Sequence, residues 1–78
     1  MDHIDPAILE LALKHDSEIK RLYDEHRRLD REITEIDSRA YLTETEEFEI
    51  KVLKKKKLRV KEELTRKLER YSGHLVAA

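Results

Sequence analysis

The sequence predicts an all-α fold: an antiparallel two-helix hairpin of coiled-coil type, carrying a short N-terminal helix and suited to dimerising into a helical bundle. Three observations predict it. Apolar residues recur at alternating steps of three and four over two long stretches. Neither stretch contains the single Pro or the single Gly of the chain. A well-marked helix start follows closely on the first stretch, so two long helices must be neighbours joined by a short turn. At 78 residues the chain makes one domain, spanning 1–78. With 45% of its residues charged, disorder is the competing reading. It loses to the helical periodicity.

The first helix covers about residues 6–14. Asp5 caps it and Pro6 suits its first position, where the missing N–H costs nothing. Ile8, Leu9, Ala12 and Leu13 share one face, with Leu11 beside it. A break is expected at His15-Asp16-Ser17, because Asp16 or Ser17 can cap a new helix; a continuous helix through this point is the alternative.

The second helix covers about residues 17–39. Ile19, Leu22, His26, Leu29, Ile33, Ile36 and Ala40 form a heptad seam on which only His26 is polar. Asp24 with Arg28, and Glu35 with Arg39, have the spacing of weak helical ion pairs. The third helix covers about residues 44–72. Thr43 and Glu46 have capping-box spacing, and Glu44, Glu46, Glu47 and Glu49 bring negative charge to the end where the helix dipole favours it. Ile50, Leu53, Lys57, Val60, Leu64, Lys67 with Leu68, and Tyr71 line its seam, and Phe48, Val52 and Leu58 widen the apolar face. Ser72-Gly73 is expected to end the helix with Gly in a left-handed conformation, leaving residues 75–78 as a frayed tail.

With the turn near Leu42, residues whose numbers sum to about 85 face each other, as an antiparallel pair requires. Ile33 then meets Leu53, Leu29 meets Lys57, His26 meets Val60, Leu22 meets Leu64, and Ile19 meets Leu68. The N-terminal helix is expected to fold near Tyr71 and Leu75, closing the open end. Tyr23, Tyr41 and Tyr71 read as packing groups at the edge and ends of the seam.

The ordered set His26-x-x-Leu29-Asp30-x-x-Ile33, Tyr41-Leu42-Thr43, Glu49-Ile50-Lys51 with Leu53-Lys54-Lys55, Lys57-Leu58 and Lys61-Glu62-Glu63-Leu64 resembles the YdcH-like family of small bacterial proteins. The resemblance runs from about Asp5 to Leu68. The family has Pro and Asp where this chain has Glu44 and Glu62, and neither change disturbs a helix. The resemblance implies an α-helical hairpin and brings neither an activity nor catalytic residues.

Composition narrows the function. The chain has no Cys, so it holds no disulfide and no thiolate metal site. The start Met1-Asp2-His3-Ile4-Asp5 carries acid where a secretory leader needs base, and Ala7–Leu13 is too short to span a membrane. A cytoplasmic location without membrane partners is therefore expected. His3, His15, His26 and His74 are scattered, with no metal-binding pair on one face, and no cofactor is expected. No phosphate-binding Gly loop and no nucleophile motif occurs, so no enzyme and no small-molecule substrate are expected.

Two features remain. Lys51, Lys54, Lys55, Lys56, Lys57, Arg59 and Lys61 form a run with no acid among them. Lys51, Lys54, Lys55, Lys56 and Arg59 are the candidates for binding a nucleic acid or another polyanion. The bland reading is a solvated face neutralised by Asp24, Glu25, Asp30, Glu32 and Glu35 of the partner helix, and it is favoured. Residues 1–49 hold 7 bases and 15 acids, and residues 50–78 hold 10 bases and 3 acids, so opposite charge favours antiparallel folding. The second feature is the polar intrusion of His26 and Lys57 into the seam, with Asp30 in reach of Lys57. Polar groups there set helix register or oligomer state, the favoured reading, and a pH switch through His26 is the alternative. The function expected is a non-enzymatic interaction module acting through self-association or contact with another protein. Polyanion binding through residues 51–61 is the alternative.

Overall fold

The computed structural model describes the backbone of residues 5–77 and the side chains of residues 5–73. Over these residues the chain is all helical, with α1 at Pro6–His15, α2 at Ser17–Asp37 and α3 at Glu44–Ala77. The described residues include no strand.

Asp5 starts α1 by accepting the Ala7 N–H at 2.9 Å, with Pro6 in the first helical turn. Asp16 then does two jobs. Its own N–H donates to the Ala12 carbonyl at 2.8 Å and closes α1. Its carboxylate accepts the N–H groups of Glu18 and Ile19 at 3.0 and 3.1 Å and opens α2. Its extended backbone (φ −121°, ψ 108°) supplies the bend between them. The break expected at residues 15–17 is therefore present, with Asp16 as the cap and Ser17 as the first residue of α2.

Helix α2 ends at Asp37, two residues short of the expected boundary. The Ser38 hydroxyl donates to the Glu35 carbonyl at 2.8 Å, the local bond by which serine competes with helix continuation. Ala40 consequently lies outside the helix and is exposed, not at the end of the seam. The capping box of α3 forms as expected: Glu46 N–H donates to Thr43 Oγ1 at 3.1 Å, and Thr43 N–H donates to Glu46 Oε1 at 3.2 Å. The Arg39 guanidinium also bonds Glu46 and ties the end of α2 to the start of α3. The Glu35–Arg39 pair expected from spacing is replaced by this one.

At its far end α3 runs through Gly73 to Ala77, so the expected stop at Ser72-Gly73 does not occur. No described Gly has positive φ. Gly73 is followed by residues that all tolerate a helix, so nothing forces the chain out of it. The expected frayed tail is helical backbone as far as Ala77. The Leu75 side chain, named as a docking point for α1, lies outside the described residues, as does Ala78.

Contacts between α2 and α3 pair residues in opposite order along the chain, Glu18 with Lys67 and Asp30 with Lys57. The two helices thus lie antiparallel, and their buried residues fall in two clusters. One holds Ala12, Ile19, Leu22, Leu64 and Leu68, with Leu9, Leu13, Tyr23 and Tyr71 packed against it. The other holds Leu29, Ile33, Ile50 and Leu53, with Ile36 and Leu42 against it. Val60 touches both. At 34 residues α3 is about 51 Å long, which accounts for the 52 Å long axis. Helix α2 covers about 32 Å of that. The α1 residues Leu9, Ala12 and Leu13 complete the burial of Leu64 and Leu68 next to Tyr71. Two tyrosines pack as expected, but Tyr41 is 91% exposed in the turn and packs on nothing central.

Candidate interaction surface

Between the two clusters the interface turns polar. His26 occupies the α2 seam position between Leu22 and Leu29, where an apolar side chain would join the clusters. Its ring is half-buried, and Nε2 is enclosed with no hydrogen-bond partner among the described residues. Lys57 Nζ donates to Asp30 Oδ1 at 2.7 Å across the interface, so the contact anticipated from sequence is formed. Burial pushes the His26 pKa below its usual value, and the neighbouring Lys57 and Lys61 charges add to that, against an opposing pull from Asp30. Asp30 is held below the ordinary carboxylate range by the Lys57 hydrogen bond and charge. The structure therefore brings His26, Asp30 and Lys57 together in one band.

A second cross-helix pair, Lys67 Nζ to Glu18 Oε2 at 2.5 Å, is absent from the reading of the sequence. Its numbers sum to 85, as do those of Arg39 and Glu46. The register rule would have found both had it been applied to charged residues as well as apolar ones.

The basic run is a solvated face, as the favoured bland reading has it, but, Asp30 apart, the acids named for it do not neutralise it. Among the described residues, only Lys57 of the run makes an ion pair. Asp24 pairs with Lys20 at 3.5 Å, not with Arg28, and Glu25 with Arg21 at 4.0 Å, both within α2. Glu32 shares a groove with Lys56 and Arg59 without reaching either. The reason is geometric. Leu53 and Leu64 turn one side of α3 to α2, and at about 100° per residue Lys51 and Lys55 fall on the opposite side, while Lys56 and Arg59 border the groove between the helices. Lys51, Lys54, Lys55, Lys56, Arg59 and Lys61 are all exposed.

Apolar side chains share that outer side. Phe48 is 68% exposed and Leu58 55%. Phe48 and half-buried Val52 form one shallow depression with Lys51, Lys54 and Lys55. Leu58 lines the next, with Lys61, Glu62, Thr65, Arg66 and Glu69. These residues do not widen the face toward α2, as periodicity suggested; they make a separate face. Leu11, on α1, is 43% exposed.

No helix among the described residues is long and apolar enough to cross a membrane. Among the same residues no group of three His, Cys, Asp or Glu side chains is placed to hold a metal. His3 and the His74 side chain lie outside the described residues. The surface grooves are open to solvent and lined largely by charged side chains.

No curated protein and no solved structure matches the chain. The family model described as protein of unknown function (DUF465) matches residues 19–68. The match starts at Ile19 rather than near Asp5, so α1 lies outside it. It takes in both buried clusters apart from Ala12, the polar band, the capping box and the whole basic run. The chain belongs to the DUF465 family, which is the family of YdcH.

Proposed function

We propose that this chain is a non-enzymatic helical hairpin module that works by binding another protein surface, in the first place a second copy of itself in a helical bundle. One observation carries the reading. Phe48 and Leu58 stay exposed on the outer side of α3 although the clusters between the helices are already filled. Exposed large apolar side chains grouped on a helix face mark interaction sites. The His26–Asp30–Lys57 band fits the same picture as a register-setting element, since a polar group in a helical seam disfavours slipped pairings. Sedimentation equilibrium tests self-association: the expected mass is a multiple of 9.4 kDa, reduced toward one chain by Leu58→Ser. A folded chain that stays at one copy at high micromolar concentration would falsify the self-association form and point to a different protein partner.

A second reading has its own support. Six bases from Lys51 to Lys61 make no ion pair among the described residues, and they favour binding of a polyanion. Such binding weakens steeply with salt.

A further inference from the structure

We propose that the outer face of α3 from Phe48 to Lys61 binds the surface of an anionic lipid bilayer, lying flat on it. The inference rests on the polyanion reading and names the polyanion. Two independent observations meet on this face. Lys51, Lys54 and Lys55 border the Phe48–Val52 depression and Lys61 the Leu58 depression, all exposed and unpaired among the described residues, with Glu62 and Glu69 the acids beside Leu58; Lys56 and Arg59 border the groove toward α2. Phe48 and Leu58 project among them, 68% and 55% exposed, with Val52 beside Phe48.

A nucleic acid would use only the first observation. Phosphates attract the bases, but Phe48 and Leu58 would find little to pack on, and a single aromatic offers no series of stacking platforms. An anionic bilayer uses both. Phe and Leu side chains enter the boundary between headgroups and acyl chains, while Lys and Arg lay their stems along that boundary and carry their charges to the phosphates. A cluster of four to eight bases on an amphipathic helix is the pattern that anionic headgroups select. The face is about 20 Å long, enough to lie across several headgroups. Helix α2 holds α3 from behind, so the face exists before binding and needs no ordering step. Self-association through Phe48 and Leu58 would use the same face, so vesicle binding and self-association are expected to compete.

The test is co-sedimentation of the full chain with vesicles of phosphatidylcholine alone and of phosphatidylcholine mixed with phosphatidylglycerol. A duplex DNA oligonucleotide serves as the comparison ligand. Binding is expected to the mixed vesicles and not to the neutral ones, and to weaken as salt rises. Phe48→Ser with Leu58→Ser is expected to cost at least about tenfold in vesicle affinity, and Lys54→Glu with Lys55→Glu to abolish it. All four positions are exposed, and circular dichroism verifies that the variants stay helical. Equal binding of the serine variant and the parent to mixed vesicles overturns the proposal. Retention of DNA without retention of mixed vesicles overturns the lipid assignment and leaves the polyanion reading standing. Retention of neither overturns both.

Discussion

His26 puts an imidazole between apolar neighbours and leaves Nε2 without a partner, so its neutral form is the one the fold accepts. Its pKa is lower folded than unfolded, so the unfolded chain binds the proton more readily. The stability from neutral His26 is therefore whole above the ordinary imidazole pKa of about 6.5 and is lost as pH falls through that value toward the lowered one. The melting temperature should drop between pH 7.5 and pH 5.5, and His26→Leu should flatten that drop. The same substitution removes an unsatisfied buried nitrogen and should stabilise the chain at neutral pH by about 1–2 kcal/mol. Unchanged stability together with unchanged oligomer size in His26→Leu would end the register-setting role. Asp30 has the opposite sign: its contribution is present above the usual Asp range and disappears as pH falls below it. Where the interface is dry, truncation should be severe. Leu64 and Ile19 are fully buried, and Leu64→Ala should cost about 2–5 kcal/mol, read from urea denaturation. In a chain this small that is most or all of the stability.

At the level of the helix, the caps decide where each element begins. Asp16→Ala removes the acceptor for two N–H groups of α2 and should cost about 1 kcal/mol. It also removes the residue that prefers the bend, so α1 should swing away from Leu64 and Leu68 more often. Faster hydrogen exchange at the Leu13 and His15 amides would show it, and unchanged exchange there would contradict it. At the other end Gly73 sits in helix, and a Cβ built on it meets nothing within 4 Å. Gly73→Ala should therefore stabilise by about 0.5–1 kcal/mol, the reverse of what a left-handed cap would give. Helix starts were legible because each depends on a side chain that must accept a particular N–H: Asp5, Asp16 and Thr43 with Glu46. Helix ends were less so. Glycine permits a left-handed turn without requiring one, and Ser38 stops α2 by a bond to the carbonyl of Glu35 that the heptad spacing of Ala40 conceals.

For the molecule as a whole, the 3-4 spacing located the buried residues because an antiparallel pair has only one shared face to hide. Ile19 and Leu22 therefore cluster with Leu64 and Leu68, and Ile33 with Leu53, as the register rule required; Leu29, which the rule set against Lys57, joins the cluster of Ile50 and Leu53. The fate of the basic run was not legible. Opposite charge on two arms says that they attract, but not which side of α3 each lysine leaves by. Phe48, Val52 and Leu58 were misplaced for the same cause: a hydrophobic residue outside the main stripe reads equally as a wider interface or a second one. The free bases have a consequence for the isolated protein. Added salt should alter its thermal stability little, since the ion pairs that link α2 to α3 are partly exposed. A steep rise or fall in melting temperature with sodium chloride would mean that the lysines act on the fold itself.

The interruption at His26 gives the two ends of the rod separate fortunes. Near Leu68 three helices grip one another, whereas near Ile50 only two do. The turn end can come undone as a unit while the three-helix end stays shut, like a clothes-peg held at its spring. Native-state hydrogen exchange should then sort the amides of Ile33 and Leu53 into a group that opens at lower free energy than those of Leu22 and Leu64.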